Sequence, residues 1–133
     1  MSLKKNNLPE EKIRISLLEF MKNELGYPHG VISVERSLSS FPHLKGQKLP
    51  NRRFDIAVFS TEKMQPLLII ECKAVPITEK CYDQVIGYNH LVKVPFIALA
   101  NQKGVTTLIK DGDSYKQMNG LPDYKYLLEH GTR

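Results

Sequence analysis

The segment at residues 67–74, LLIIECKA, constrains the fold of this chain more than any other stretch. Its four aliphatic residues form a short apolar run that suits a buried strand. A carboxylate and an ammonium follow at once, Glu71 and Lys73, with Cys72 between them. Side chains alternate between the two faces of a strand, so Glu71 and Lys73 share one face, while Cys72 points to the other and packs as a small apolar residue. Two charges on one face, where a core strand ends, indicate a polar site at the edge of a sheet.

Length and composition predict one globular domain over residues 1–133, because 41% hydrophobic and 25% charged residues are ordinary globular values. The apolar runs are too short to span a bilayer and the polar start lacks a signal peptide, so we expect a soluble, cytoplasmic protein with no membrane partner. The formal net charge of +5 favours an anionic partner such as DNA. The two cysteines and four histidines lack the spacing of zinc ligands.

Apolar periodicity and turn residues predict nine elements in the order α, β, β, β, α, β, β, β, α. Thr78 is expected to cap the second helix and Asp123 the third, and Gly26 is suited to end the first. Asp111-Gly112 is expected to form the turn of the last hairpin. The predicted helices cover residues 9–25, 79–92 and a short segment after 123, and the predicted strands cover residues 31–38, 52–60, 67–73, 95–100, 105–110 and 115–118. This order favours an α/β (α+β) fold with a mixed central sheet flanked by helices.

A second carboxylate is predicted beside the first. Asp55 lies near the start of the strand at 52–60, and antiparallel pairing through the following turn sets it opposite about position 71. Two adjacent carboxylates repel unless a cation lies between them, and oxygen ligands suit Mg²⁺, with Mn²⁺ as a substitute. A lysine beside such an ion can orient water or stabilise charge that develops on phosphorus. A surface salt bridge explains the same residues equally well, and the spacing leaves both interpretations open.

Three motifs in order resemble a known family: R-x-D-I-x-V-F at residues 53–59, L-L-I-I-E-C-K-A at 67–74 and D-Q-V-I-G-Y-N at 83–89. Together they are similar to the PD-(D/E)xK nuclease superfamily, and in particular to the N-terminal nuclease domain of type I restriction endonuclease R subunits. The resemblance extends over roughly residues 8–112. It implies a restriction-endonuclease-like core of order αβββαβ, followed here by additional C-terminal strands. Phe54 replaces the proline of the superfamily motif, and the phosphate loop of the R-subunit motor is not found in the sequence.

The resemblance also implies an activity, that of a magnesium-dependent endonuclease acting on DNA. Asp55 and Glu71 would hold the ion together with the backbone carbonyl of Cys72, and Lys73 would be the catalytic lysine. The expected partners are DNA and either a second copy of the chain or restriction–modification subunits. A module that keeps the nuclease fold and binds nucleic acid without cleaving it is the alternative.

Further site residues follow from the same resemblance. A carboxylate on the first helix often lies near the metal in this family, and Glu11 is the preferred choice, with Glu10 and Glu19 as alternatives and a solvated helix face as the plain interpretation. Gln84 and Tyr88 are four residues apart on one helix face and match a Q-x-x-x-Y element beside the active site. Both are predicted to contact nucleic acid, and Gln84 is also assigned to the catalytic group.

A basic loop enters the Asp55 strand and is predicted to contact phosphates, although a solvated loop would have the same composition. Its members are Lys45, Lys48, Arg52 and Arg53. Three tyrosines near the C-terminus could stack on bases, but core or partner-surface positions suit them better. They are Tyr115, Tyr124 and Tyr126.

Overall fold

The computed structural model describes residues 8–131, and its helices and strands follow the predicted order. The helices are α1 (Leu8–Asn23), α2 (Glu79–Val92) and α3 (Tyr124–Gly131). The strands are β1 (Ile32–Ser37), β2 (Arg53–Phe59), β3 (Pro66–Cys72), β4 (Phe96–Asn101), β5 (Gly104–Asp111) and β6 (Ser114–Asn119). Short 3-10 segments at His29–Val31, Leu38–Ser40 and Pro42–Leu44 lie on either side of β1.

The six strands form one mixed sheet in the order β1-β2-β3-β4-β5-β6. Neighbouring strands are antiparallel except β3 and β4, which are parallel. Parallel neighbours need a crossover connection, and α2 supplies it. Ile56 of β2 lies opposite Ile70 of β3, the register that the sequence predicts for this hairpin.

Helices α1 and α3 cover one side of the sheet, here called the α1 face. Leu17 and Met21 of α1 and Leu127 of α3 are buried in the same cluster as Ile70 and Phe96. The predicted four-residue apolar spacing of the first helix therefore faces the core, because residues three or four apart lie on one side of a helix.

Helix α2 and the 3-10 segments after β1 cover the other side, the α2 face. Val85 and Val92 of α2 pack with Phe41 against Ile69 and Ile97. Both central strands are thus buried on two sides, which explains why β3 and β4 read as continuous apolar runs. The predicted mixed sheet with helices packed on it, a restriction-endonuclease-like arrangement, is confirmed. No helix within residues 8–131 is long and apolar enough to cross a membrane.

The ends of the first and last helices form as predicted. Gly26 has φ +72°, and the Tyr27 N–H donates to the Met21 carbonyl at 3.1 Å, which closes α1 with a left-handed glycine. Asp123 caps α3, since its Oδ1 accepts the Tyr126 N–H at 2.8 Å.

Two local predictions need correction. Thr78 occupies the N-cap position of α2, but its side chain accepts no hydrogen bond from the helix backbone, and its hydroxyl lies 3.6 Å from the Cys81 sulphur instead. In the last hairpin Asp111 pairs with Ser114, so the turn is formed by residues 112–113, one position later than expected. The positive φ of Gly112, +64°, is what this shifted turn requires.

Candidate active site

The adjoining ends of β2 and β3 bring Asp55 and Glu71 together. The backbone N–H of Asp55 donates to Glu71 Oε1 at 3.2 Å, and the backbone N–H of Cys72 donates to Asp55 Oδ2 at 2.7 Å. Each carboxylate is therefore held by the main chain of the opposite strand, which fixes both without long flexible contacts. The predicted proximity of the two carboxylates is confirmed, while their role as metal ligands stays a prediction.

The charge state of Asp55 reflects its half-buried position. Burial raises the pKa of this carboxyl above its ordinary value, and the hydrogen bond from the Cys72 amide opposes that shift. The negative charge of Glu10 raises the pKa of Asp55 further, whereas Arg52 and Arg14 lower it. The ionised form is thus under-stabilised by the protein alone, and a cation beside Asp55 would favour it.

Glu71 already has a cation beside it. Its Oε2 forms an ion pair with Arg52 Nη2, and the Glu71 side chain is only 5% exposed against 25% for Arg52. The Arg52 guanidinium also lies over the Tyr88 ring, 5.1 Å from its centroid, and 6.0 Å from the centroid of Phe54. Within the described part of the chain, Arg52 is the one member of the predicted basic loop that contacts a predicted metal ligand. Sequence spacing did not reveal the pair, because nothing in the local pattern tells Arg52 from Arg53.

Residues 72 and 73 alternate as predicted. Cys72 packs into the core on the α1 face, and burial raises the pKa of its thiol to about 12. Lys73 is half-buried and lies toward α2. Hydrogen bonds from Thr78 lower the pKa of the Cys81 thiol, and the charge of Lys73 lowers it further. The Lys73 N–H donates to the Ala100 carbonyl at 2.7 Å, so the main chain that carries the lysine is fixed to β4.

The first-helix glutamates are placed differently from the preferred prediction. Glu10, not Glu11, reaches the end of β3, where its Oε2 accepts the Ala74 N–H at 3.4 Å. Glu11 instead pairs with Arg14 at 3.7 Å, and Glu19 is exposed. The signal was present in the sequence, because position 10 continues the buried helical stripe of residues 13, 17 and 21, and position 11 does not.

Of the two predicted site residues on α2, Tyr88 is linked to the carboxylates and Gln84 is not. Tyr88 packs edge-on against Phe54, with ring centroids 6.1 Å apart, and is linked to Glu71 through Arg52. Gln84 is exposed and lines a shallow surface hollow of about 410 Å³ near the start of α2. In the described part of the chain, Gln84 makes no contact with Asp55 or Glu71 that would support its predicted catalytic role.

The remaining predicted contacts divide into exposed cations and structural tyrosines. Lys45, Lys48 and Arg53 are exposed. Exposure is required of a loop that contacts phosphates, but a merely solvated loop would be exposed as well, so both interpretations stay open. Tyr124 is buried, and its hydroxyl donates to the Phe59 carbonyl at 3.0 Å. Tyr115 accepts a hydrogen bond from Asn89 Nδ2 at 3.0 Å, and Tyr126 packs against Phe96 and His130. These contacts favour the core interpretation of the three tyrosines.

The donor atoms at the adjoining ends of β2 and β3 fit magnesium. Within residues 8–131 no group of three or more His, Cys, Asp or Glu side chains is placed to hold a metal ion, so Glu11 does not complete a three-residue set. Magnesium commonly binds through one or two carboxylates and takes its other ligands from water and substrate phosphate. Asp55 uses Oδ2 for the Cys72 amide, and since a carboxylate offers about four lone-pair sites it keeps acceptor capacity for an ion.

Comparison with protein families places the chain in a described family. A family model described as "Type I restriction enzyme R protein N terminus (HSDR_N)" matches residues 9–122. The matched region runs from α1 to just beyond β6 and includes Asp55, Glu71 and Lys73. No curated protein matches the chain.

Proposed function

The chain belongs to the family of type I restriction enzyme R protein N termini, and from this premise we propose that it is a magnesium-dependent endonuclease acting on DNA. The observation that carries the proposal is a pair of hydrogen bonds across the ends of β2 and β3: the Asp55 N–H donates to the Glu71 carboxylate, and the Cys72 N–H donates to the Asp55 carboxylate. A lysine two residues further along the same strand end accompanies the pair. Two carboxylates that would hold a metal ion, with a lysine two residues beyond one of them, would suit phosphodiester hydrolysis.

The roles of the residues follow from their positions. Asp55 and Glu71, with the Cys72 carbonyl, would hold the ion, since all three lie where β2 and β3 end. A magnesium ion bound there would neutralise phosphate charge and activate a water molecule. Lys73 carries an ammonium on the Glu71 side of the strand and stabilises the negative charge that develops on the phosphate oxygens. Its main chain is fixed to β4, so the ammonium is presented from a rigid base.

DNA would be held by groups further from the carboxylates. Lys45 and Lys48 are exposed on the segment before β2, Arg53 is exposed at its first position, and all three can neutralise backbone phosphates. Tyr88 and Gln84 lie on one face of α2, and both would contact the DNA backbone. The family description names a restriction enzyme R protein, so restriction–modification subunits or a second copy of the chain are the proposed protein partners.

A cleavage assay tests the proposal. Supercoiled, linear and single-stranded DNA are incubated with wild type, Asp55→Ala, Glu71→Ala or Lys73→Ala in Mg²⁺ or Mn²⁺. We expect cleavage by the wild type and a loss of about a hundredfold or more in each variant, the usual scale for removing a group that acts in the transition state. Lys80→Ala, which changes an exposed lysine of α2, is the matched control and should cleave normally. Wild-type rates in Lys73→Ala with unchanged circular dichroism would refute the catalytic role.

One observation favours a second candidate function. Because Arg52 already neutralises Glu71, this buried carboxylate can be stable without metal, as in a module that binds nucleic acid and does no chemistry. Such a module would bind DNA in a salt-sensitive manner that is indifferent to magnesium and to Lys73. Calorimetric magnesium binding that disappears in Asp55→Ala would count against this alternative.

A further inference from the structure

The Arg52 guanidinium occupies a defined slot beside a buried carboxylate. One side of the slot is Glu71 Oε2, and the aromatic rings of Tyr88 and Phe54 lie 5.1 and 6.0 Å from the guanidinium carbon. Arg52 Nε is buried and has no hydrogen-bond partner among the described residues. The guanidinium is therefore fixed by one ion pair and two ring contacts, without the full set of bonds that its five N–H groups can make.

Both oxygens of Glu71 are engaged in this arrangement. Oε1 accepts the Asp55 N–H, and Oε2 is paired with Arg52. A carboxylate that is 5% exposed needs a cation, because an unpaired buried charge is strongly destabilising. A divalent ion held by Asp55 and Glu71 would supply that charge, and like charges at contact distance repel. The guanidinium and the divalent ion therefore compete for Glu71.

We propose that Arg52 is an exchangeable counter-ion of Glu71, which releases the carboxylate when a divalent cation binds and then offers its guanidinium to a DNA phosphate. This inference rests on the proposed function, because it assumes a metal at the carboxylate pair. The main chain need not move, since the Arg52 carbonyl is fixed by the Leu38 N–H at 2.8 Å. The rings of Tyr88 and Phe54 keep the released guanidinium near the site through cation–π attraction.

The exchange couples two binding events. A cation at Glu71 frees Arg52 for phosphate, and a phosphate that holds Arg52 frees Glu71 for the cation. Linkage requires the two effects to be equal, so metal and DNA each strengthen the binding of the other by the same factor. The site would consequently bind metal more tightly when DNA is present.

Calorimetric titration with MnCl₂ in the absence of DNA tests the exchange. Removing the competitor should tighten manganese binding, so we expect the dissociation constant of Arg52→Gln to fall about fivefold or more, the lower end of typical couplings between sites. Arg53→Gln is the matched control, because it removes one positive charge from the exposed neighbouring residue and should change the constant less than about twofold. Damage to the fold would weaken binding and cannot produce the expected gain.

A second measurement uses the wild type alone. The NMR resonance of the Arg52 side-chain N–H, assigned by its loss in Arg52→Lys, should shift when Mg²⁺ is added. An unmoved resonance, or manganese binding that is equal or weaker in Arg52→Gln while Asp55→Ala abolishes it, would overturn the exchange and leave the metal site intact. If neither wild type nor Arg52→Gln binds manganese in a manner that depends on Asp55, the exchange and the proposed metal site are both overturned.

Discussion

Replacing Asn89 by alanine tests how α2 is fixed beside the carboxylates. Asn89 is 1% exposed and ties the end of α2 to Val94, two residues before β4 begins. Its Oδ1 accepts the Val94 N–H at 2.9 Å, and its Nδ2 donates to the Val94 carbonyl at 3.0 Å and to the Tyr115 hydroxyl at 3.0 Å. The helix held in this way carries Tyr88, the residue that packs against Arg52.

The expected loss of stability can be worked out from these bonds. Alanine leaves two buried backbone groups of Val94 without partners, and each costs about 1–3 kcal/mol. The Tyr115 hydroxyl is half-buried and finds water, so it adds little. We therefore expect Asn89→Ala to lower the free energy of unfolding by about 2–6 kcal/mol, and Tyr115→Phe, which removes one bond, to lower it by about 0.5–1.5 kcal/mol.

Urea denaturation followed by far-UV circular dichroism measures both losses, since the chain has no tryptophan to report on unfolding. Asn119→Ala is the control, because this asparagine is exposed and its replacement should change stability by no more than about 0.5 kcal/mol. Equal stabilities for Asn89→Ala and Asn119→Ala would refute the argument that the Asn89 bonds fix α2 to the sheet.

Two further predictions concern groups with shifted pKa values. A thiol reagent at pH 8 should label Cys81 in the native protein and reach Cys72 only after denaturation. Burial raises the pKa of the Cys72 thiol to about 12, whereas hydrogen bonds from Thr78 lower the pKa of the Cys81 thiol. Equal labelling of the two cysteines in the native protein would contradict this prediction. Asp55→Asn should raise the melting temperature in a chelator at pH 7, with a gain that vanishes near pH 3. The folded state binds the Asp55 proton more tightly than the unfolded chain does, because burial raises the pKa of Asp55. Wild-type stability therefore falls as pH rises from the unfolded pKa of about 3.9 through the raised folded pKa. A stability difference between the two proteins that does not change with pH would contradict this argument.

The element order could be predicted because each strand and helix carries a local signal. The apolar runs of β3 and β4, the glycine at position 26 and the aspartate at position 123 each act within a few residues, and the structure uses them as expected. The approach of Asp55 to Glu71 was also accessible, since a short hairpin fixes the register of its strands.

Contacts between distant elements could not be predicted in the same way. The choice of Glu10 over Glu11 depends on how α1 is rotated against the sheet, and the apolar stripe of the helix gave the only clue. The pairing of Arg52 with Glu71 and its place over Tyr88 depend on the packing of α2, which no local pattern encodes. Thr78 shows a different limit of sequence-based prediction. It is a favourable cap residue, but its hydroxyl contacts the Cys81 sulphur and does not bond to the helix backbone.

Anomalous scattering from a manganese-soaked crystal would test the central claim most directly. We predict one manganese peak bound by oxygens of both Asp55 and Glu71, at about 2.0–2.2 Å as for ions of this size, with the Arg52 guanidinium no longer on Glu71. A manganese site elsewhere, or crystals that take up none at this sheet edge while Arg52 stays paired with Glu71, would contradict the account.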